Sequence, residues 1–413
     1  MSSVRETKAT RPPRLRVTTQ LRPDADRALV AVGLFTGAGG LDLGVEQAGY
    51  SLLAAVESDP MAVATMNRNR ARFFPRLSEV RPADITKLDP EDLMRGIRVG
   101  PGEIDLLVGG PPCVAFSKSG FHLEYKRAGL DPRANLLEDY VRFLGALRPK
   151  AYLMENVFGL AYRNQSRAFF ERLQAGIAGH GYSCTYAVVN AADYGVPQNR
   201  QRLFVVGAGQ GRDLDLPGPT HWGEHERRVR PLDASRLRPH VTAREALDGL
   251  ATEPEADELV GGKYGHLLAE IPPGGNYLHY TAHEGYPKPI FEWRSRYWTF
   301  LLKLSPDRPA PTIQGQPGPY VGPFHWENRR LRVPELRRLH GFPDDYEFAG
   351  SRREIQLQIG NAVPPPLARV VTRAIREQIL GREVAPALGR QLALALESDG
   401  SPAKRIVGAL ARA

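Results

Sequence analysis

The chain has 413 residues, 42% of them hydrophobic, enough for one large or two medium domains with proper cores. Its net charge of +9 favours a polyanionic partner, nucleic acid first. No apolar run approaches the ~20 residues of a membrane span, and the polar, Arg- and Pro-rich stretch from Met1 to Arg27 is no signal peptide but a disordered basic tail. Two cysteines, Cys113 and Cys184, exclude a disulfide framework and a Cys-rich zinc site and fit a reducing compartment, so no metal is expected.

In chain order, a strand over Leu29 to Phe35 runs into Thr36-Gly-Ala-Gly-Gly40 and then a helical pattern from Leu41 to Ala48. Strand, glycine-rich turn and helix form the first unit of a nucleotide-binding sheet, where backbone must approach a ligand closely. The spacing is not the G-x-G-x-x-G of dinucleotide enzymes, because Asp42 stands where the third Gly would be. The second strand, Ser51 to Val56, ends in Glu57-Ser-Asp59 before a helix from Pro60 to about Arg72. An acid there can accept hydrogen bonds from ribose hydroxyls or simply favour the helix start. A short strand end, Ala83 to Thr86, carries a further acid, Asp84.

The stretch Ile104-Asp-Leu-Leu-Val-Gly-Gly-Pro-Pro-Cys113 reads as a buried parallel strand with a stiff exit at its carboxyl end, where α/β sheets place their chemistry. Cys113 is thereby presented to a substrate, with a buried structural cysteine as the alternative. The polar loop from Ser117 to Arg133 has the length of a lid or binding loop. A helix from Leu136 to Leu147, a strand from Ala151 to Met154 emerging at Glu155-Asn156-Val157, a helix from about Ser166 to Ala178 and strands over Ser183 to Ala191 and Arg202 to Gly207 follow. This alternation predicts an α/β fold with a doubly wound, mostly parallel sheet.

Beyond about residue 208 the alternation stops, and Trp222, Trp293, Trp298 and Trp326 all fall there. Aromatics interleaved with Arg, as from Phe291 to Trp298, suit a nucleic-acid surface, while at least half of the tryptophans suit the core of a small irregular domain. Order returns with a helix around Pro334 to Leu339, then Gln358-Ile-Gly-Asn361-Ala-Val-Pro-Pro-Pro366 and a helix to about Leu380, ahead of a peripheral extension.

Taken together these motifs resemble the DNA (cytosine-5) methyltransferases, over roughly residues 29 to 380. Phe35-Thr-Gly-Ala-Gly-Gly40 looks like the family's first motif, Pro111-Pro112-Cys113 like its nucleophile motif and Glu155-Asn156-Val157 like its catalytic glutamate motif. Gln198-Asn-Arg200-Gln-Arg202 matches Gln-x-Arg-x-Arg, Arg330 through Pro343 the ninth motif and Gly360-Asn361-Ala362-Val363 the tenth. With Glu57 and Asp84, eight short signals stand in the family's order. Departures are Gly33, where an acid often precedes the first motif, Val114 in place of a common Gln, and Ala134 in place of a frequent Gly.

The resemblance implies a Rossmann-like catalytic domain using S-adenosyl-L-methionine, with Cys113 as nucleophile toward C6 of a flipped cytosine and Glu155 as general acid at N3. Arg202, with Arg200 nearby, would hold the base O2 and the glutamate. Phe35, Thr36, Gly37, Ala38, Gly39, Gly40 and Leu41 would line the cofactor's pocket. Glu57 would take its ribose, Asp84 and Ile85 its adenine, and Pro112, Leu136, Asn361 and Ala362 would close the site. The implied layout is a tail to residue 28, a catalytic domain over 29–207 completed by 327–382, a target-recognition domain over 208–326 and an extension over 383–413. The implied partner is double-stranded DNA in the bacterial cytoplasm, at the nucleoid, met by a monomer with a cognate restriction endonuclease. The competing readings are a tRNA cytosine-5 methyltransferase on the same scaffold, a catalytically silent DNA-binding homologue, and a nicotinamide oxidoreductase, the last disfavoured by the glycine spacing. The long region before Arg329 favours DNA, since major-groove readout needs its own contacting elements.

Overall fold

The computed structural model describes residues 28–112, 136–162, 166–223, 237–251, 253, 256–294 and 297–381. Cys113, the loop 117–133, the C-terminal extension and all but residue 28 of the basic tail lie outside them.

Apolar runs halted by Gly, Pro or an acid become strands: β1 (Leu29–Leu34), β2 (Tyr50–Glu57), β3 (Glu79–Pro82), β4 (Leu106–Gly109), β5 (Ala151–Val157), β6 (Thr185–Asn190) and β7 (Gln201–Ala208). They form one seven-stranded sheet in the order β3-β2-β1-β4-β5-β7-β6. Neighbours from β3 through β5 pair in parallel, and β7 runs antiparallel between β5 and β6. The mostly parallel sheet is as expected. The inverted β7 is a feature that apolar content alone does not encode. The expected strand end at Ala83 to Thr86 falls in the turn after β3 instead.

The longer helices are α1 (Gly40–Gln47), α2 (Pro60–Phe73), α3 (Pro90–Ile97), α4 (Leu136–Leu147), α5 (Arg167–Gly179), α6 (Val333–His340), α7 (Arg352–Asn361) and α8 (Pro365–Ile379), with short helical turns at Gly159–Tyr162 and Ala243–Leu247. Caps start several of them. Asp59 accepts from the Ala62 amide at 2.8 Å with Pro60 at the first helical position, and Asp89 accepts from the Glu91 amide at 3.0 Å ahead of Pro90. Helices α3 and α7 were not expected from the sequence.

Alternation along the strands divides the core between two faces. On β5, Ala151 and Leu153 pack with α1 and α8, while Tyr152 and Met154 pack with α3, α4 and α5. On β7, Phe204 and Val206 take the first face and Leu203 and Val205 the second. Gly44 of α1 lets α8 approach: a Cβ there would stand 2.3 Å from the Ala368 Cβ and 2.6 Å from the Arg369 nitrogen. The C-terminal helix is thereby clamped against the first βα unit, as the motif order requires, and Asn361 and Ala362 return to the sheet's carboxyl edge.

A third cluster has its own centre, around Leu268, Tyr277, Tyr280, Leu301 and Phe324. It holds 3-10 turns (Gly265–Ala269, Tyr277–Tyr280, Ala282–Glu284) and isolated bridges in place of long strands among the described residues. By contrast Leu214, Leu216, Ala243, Leu247, Leu304 and Ile313 join the sheet's first face. Of the four tryptophans, Trp222 is buried and Trp326 packs on that face, while Trp293 and Trp298 are exposed. The seam between small cluster and sheet is held by Arg329, whose guanidinium donates to both carboxylate oxygens of Glu335 at 2.6 and 2.9 Å in full burial.

Candidate active site

The sheet order reverses direction between β1 and β4, and a cleft of 3070 Å³ opens outside the carboxyl ends of the strands there. Its floor is the strand ends, and its opposite wall includes Asn276, Trp298 and Thr299 of the small cluster.

The turn after β1 needs glycine: Gly37 and Gly39 have φ of 56° and 78°, and Phe35 shares this left-handed region at 53°. The Gly39 amide donates to Thr36 O at 3.0 Å and the Gly37 amide to Glu57 Oε2 at 2.7 Å. Glu57 Oε1 accepts from the amides of Ser58 and Asp59, both at 2.8 Å. The carboxylate at the end of β2 is thus aimed at the cleft by three amides. Asp84 sits in the exposed turn beyond β3, where Thr86 donates to it from its hydroxyl at 2.8 Å and its amide at 3.1 Å. These bonds, the hydroxyl's first, hold its pKa below the ordinary carboxylate value. Ile85 is buried beside it, and Leu136 at the start of α4 faces the same space.

Glu155 and Arg202 meet because β5 and β7 are antiparallel. Glu155 stands opposite Phe204 and Val157 opposite Arg202, so the acid and the arginine are diagonal neighbours on one face. Arg202 Nε donates to Glu155 Oε1 at 2.9 Å. Burial raises the Glu155 pKa above its ordinary value, against the opposing pull of Arg202 and Arg200. The pair lies beside the exit of β4: a Cβ on Gly110 would come 3.3 Å from Glu155 Oε2. Asn156 Nδ2 donates to Pro111 O at 3.1 Å, pinning the Gly-Gly-Pro-Pro exit that leads to residue 113. Cys113 itself is outside the described residues, so the geometry reaches its doorstep at Pro112 and no further.

Arg200 is placed differently from the expectation that it reaches a base. It is fully buried, and its guanidinium donates to Gly360 O at 2.6 Å, Ala362 O at 3.0 Å and Ile313 O at 3.3 Å. Gln198 and His340 extend this seam: Gln198 Oε1 accepts from the Ile313 amide at 3.2 Å, and His340 bridges Gln198 at 3.2 Å and Ala362 O at 2.9 Å. Burial, then the Arg200 charge, pushes the His340 pKa far down, so it is neutral, with Nε2–H donating to Ala362 O and Nδ1 accepting from Gln198. Asn361 and Ala362 do line the cleft, held there by Arg200.

The family model for C-5 cytosine-specific DNA methylases matches residues 30–377. The chain belongs to this family. The methylase is 46% identical over 373 residues to the Type II methyltransferase M.SacI of Streptomyces achromogenes, covering 85% of this chain and 93% of the relative. It is 32% identical over 341 residues to M.NgoFVII of Neisseria gonorrhoeae, covering 81% and 83%. Among solved structures, the Schizosaccharomyces pombe Dnmt2 methyltransferase shares the fold, with a TM-score of 0.55 at 16% identity over 86% of this chain and 99% of that one. The methylase is therefore an enzyme that methylates C5 of cytosine in DNA. No helix among the described residues is long and apolar enough to cross a membrane.

Two contributors to the site escaped the sequence reading. Asn156 was visible only as part of its motif, and its tie to Pro111 needs the β4–β5 register. Asp42 lines the cleft in full burial. Its signal was the missing acid at Gly33.

Proposed function

We propose that this methylase takes its methyl group from S-adenosyl-L-methionine and delivers it to a cytosine flipped out of double-stranded DNA, as the modification partner of a restriction endonuclease. The pocket fits that cofactor. Glu57 offers a carboxylate to a ribose, Ile85 and Leu136 add apolar surface to the same cleft, and the left-handed Phe35–Gly39 turn leaves room for a ligand against backbone. Phe35, Thr36, Gly37, Ala38, Gly39, Gly40, Leu41, Asp84, Pro112, Asn361 and Ala362 would complete the contact. When bound, the cofactor supplies an electrophilic methyl group.

The chain's own residues do the rest. Cys113 forms a bond to C6 of the flipped base, which raises electron density at C5. Glu155 gives a proton to N3, and burial, by raising its pKa, favours the proton-carrying form. Arg202 orients Glu155 and the base O2 together, a two-pronged task suited to guanidinium. Arg200 acts one step back, holding the 360–362 segment in the cofactor wall. After methyl transfer the C5 proton leaves to solvent, Cys113 is expelled as thiolate and the N3 proton returns to Glu155. The observation that supports this reading most is the buried Glu155–Arg202 pair at 2.9 Å beside the β4 exit.

The recognition role falls to the region about 208–326, and within it to the part with its own core, Val260 to Phe324, which faces the catalytic pair across the cleft. The likeness to Type II enzymes supports the modification role; the enzyme would act as a monomer at the nucleoid of a bacterial cytoplasm. Expression in a host lacking 5-methylcytosine, followed by sequencing of its DNA, should find the base at one recurring sequence. Unmethylated DNA, or methylation of tRNA alone, would overturn this function.

A further inference from the structure

Asp84 and Ile85 line the cleft from the turn beyond β3, and β3 is an edge strand that pairs with β2 alone. Within the turn, the Lys87 amide donates to Asp84 O at 3.0 Å and the Leu88 amide to Ile85 O at 3.3 Å. Local bonds of this kind at the rim of a sheet open at little cost, so a turn held by them alone would sample several shapes.

Arg142 of α4 supplies an anchor from outside. Its Nη2 donates to Ile85 O at 2.6 Å and its Nη1 to Leu88 O at 3.0 Å. Among the described residues, every hydrogen bond that reaches the 84–88 backbone from another element comes from this one side chain. Asp139 fixes the guanidinium in turn: its Oδ1 accepts from Nε at 3.2 Å and from Nη2 at 2.9 Å. The two residues lie one helical turn apart and so share a face of α4. The helix itself is firmly seated. Leu137, Tyr140, Phe143 and Leu144 are buried, and the Tyr140 hydroxyl donates to Leu153 O on β5 at 3.1 Å.

Arg142 does not line the cleft, whereas Leu136 at the start of the same helix does. One helix thus carries an apolar contact of the site and, further along, the fork that grips the turn bearing Asp84 and Ile85. A lysine could not do the same, because two carbonyls and a carboxylate are met here by separate nitrogens of one planar group.

We propose that Arg142, tethered by Asp139, is the positioning residue for the nucleobase end of the cofactor site. It holds the 84–88 turn in place before the ligand arrives, and thereby sets the preference for adenine over a base that has a carbonyl where adenine has its amino group. This rests on the cofactor reading above, with Asp84 at the adenine, and adds what keeps Asp84 and Ile85 in position. With the turn released, binding must also order it, which weakens affinity. A carboxylate that is no longer held in one place also discriminates poorly between an amino donor and a carbonyl oxygen.

The test is calorimetry of the full chain with S-adenosylhomocysteine and S-inosylhomocysteine, which differ at that one group. The natural protein should prefer the adenosyl ligand by on the order of tenfold, the worth of one hydrogen bond to a charged acceptor. In R142M the affinity for S-adenosylhomocysteine should fall roughly 10- to 100-fold, and the ratio between the two ligands should fall toward one. R142K, which keeps a charge without the fork, should lie between. D139N leaves Arg142 in place but loosens it, and should shift the ratio in the same direction by less, so it decides the matter even where R142M fails to fold. A natural protein without preference, an equal loss of both ligands in R142M, or a ratio unmoved in both R142M and D139N overturns the role of Arg142 and leaves the cofactor reading standing. Failure of S-adenosylhomocysteine to bind the natural protein overturns the cofactor reading and this inference with it.

Discussion

The sheet and the small cluster centred on Tyr277 and Tyr280 are built by different means. In the sheet, strand register positions side chains to within a hydrogen bond. Glu155 meets Arg202 because Phe204 lies opposite the acid, and Glu57 meets Gly37 because β1 and β2 run side by side. In the cluster, aromatic rings meet edge to face in place of a ladder. Tyr264 contacts Phe291, Phe300 and Tyr320 with centroids 5.3 to 5.6 Å apart, and Tyr277 exchanges hydrogen bonds with the backbone of Arg294. A register fixes geometry for chemistry that tolerates little displacement. A ring cluster fixes a platform with an exposed edge that carries Tyr297 and Trp298. With recognition assigned to the small cluster as proposed, reaction and recognition would be separable, and the following substitutions test that.

The largest effect should come from the sheet. Glu155→Gln removes the proton donor and should lower turnover by about 10²- to 10⁴-fold while DNA binding, read by gel shift, persists. Equal loss of binding would mean that Glu155 is structural. Arg200→Met sits where the two parts join and strips a donor from Ile313 O, Gly360 O and Ala362 O. It should cost about 3–5 kcal/mol of stability in urea unfolding, as for breaking a buried charged network, with cofactor affinity falling alongside. Full stability with lost turnover would return Arg200 to the base. In the cluster, Tyr280→Ala empties a fully buried site and frees Leu267 O, a loss of about 3 kcal/mol. Sequence-specific DNA binding should suffer while calorimetric cofactor binding stays level. Weakened cofactor binding would deny that the two regions act separately. The smallest effect is Glu57→Ala, about 1–3 kcal/mol of cofactor affinity through lost ribose hydrogen bonds, with unchanged affinity sinking that assignment.

Much of the sheet was legible because a buried parallel strand leaves a strong trace. Leu106 to Val108 and Ala151 to Met154 are apolar runs that lead into chemistry-bearing segments. Less was legible where the signal is relational. Nothing in Gln201–Ala208 says that β7 runs antiparallel, yet that direction brings Arg202 to Glu155. Helix α7 carried a readable capping box, Ser351 with Glu354, within a segment whose apolar content is too low to declare a helix. Arg200 and Arg202 look alike two residues apart, and only the return of Gly360 and Ala362 to this edge separates a buried clamp from the arginine that meets Glu155.

The central claim is that Cys113 attacks the flipped base while Glu155 and Arg202 activate it. Cys184 is the internal control: half-buried beside Tyr152, its thiol is pushed up by burial and is the poorer nucleophile. A duplex carrying 5-fluorocytosine at the target places fluorine where the C5 proton must leave. With S-adenosylmethionine present, the account predicts an enzyme–DNA adduct that survives denaturing electrophoresis, maps to the Cys113 peptide and disappears in Cys113→Ser. An adduct on Cys184, or undiminished trapping by Cys113→Ser, would contradict it.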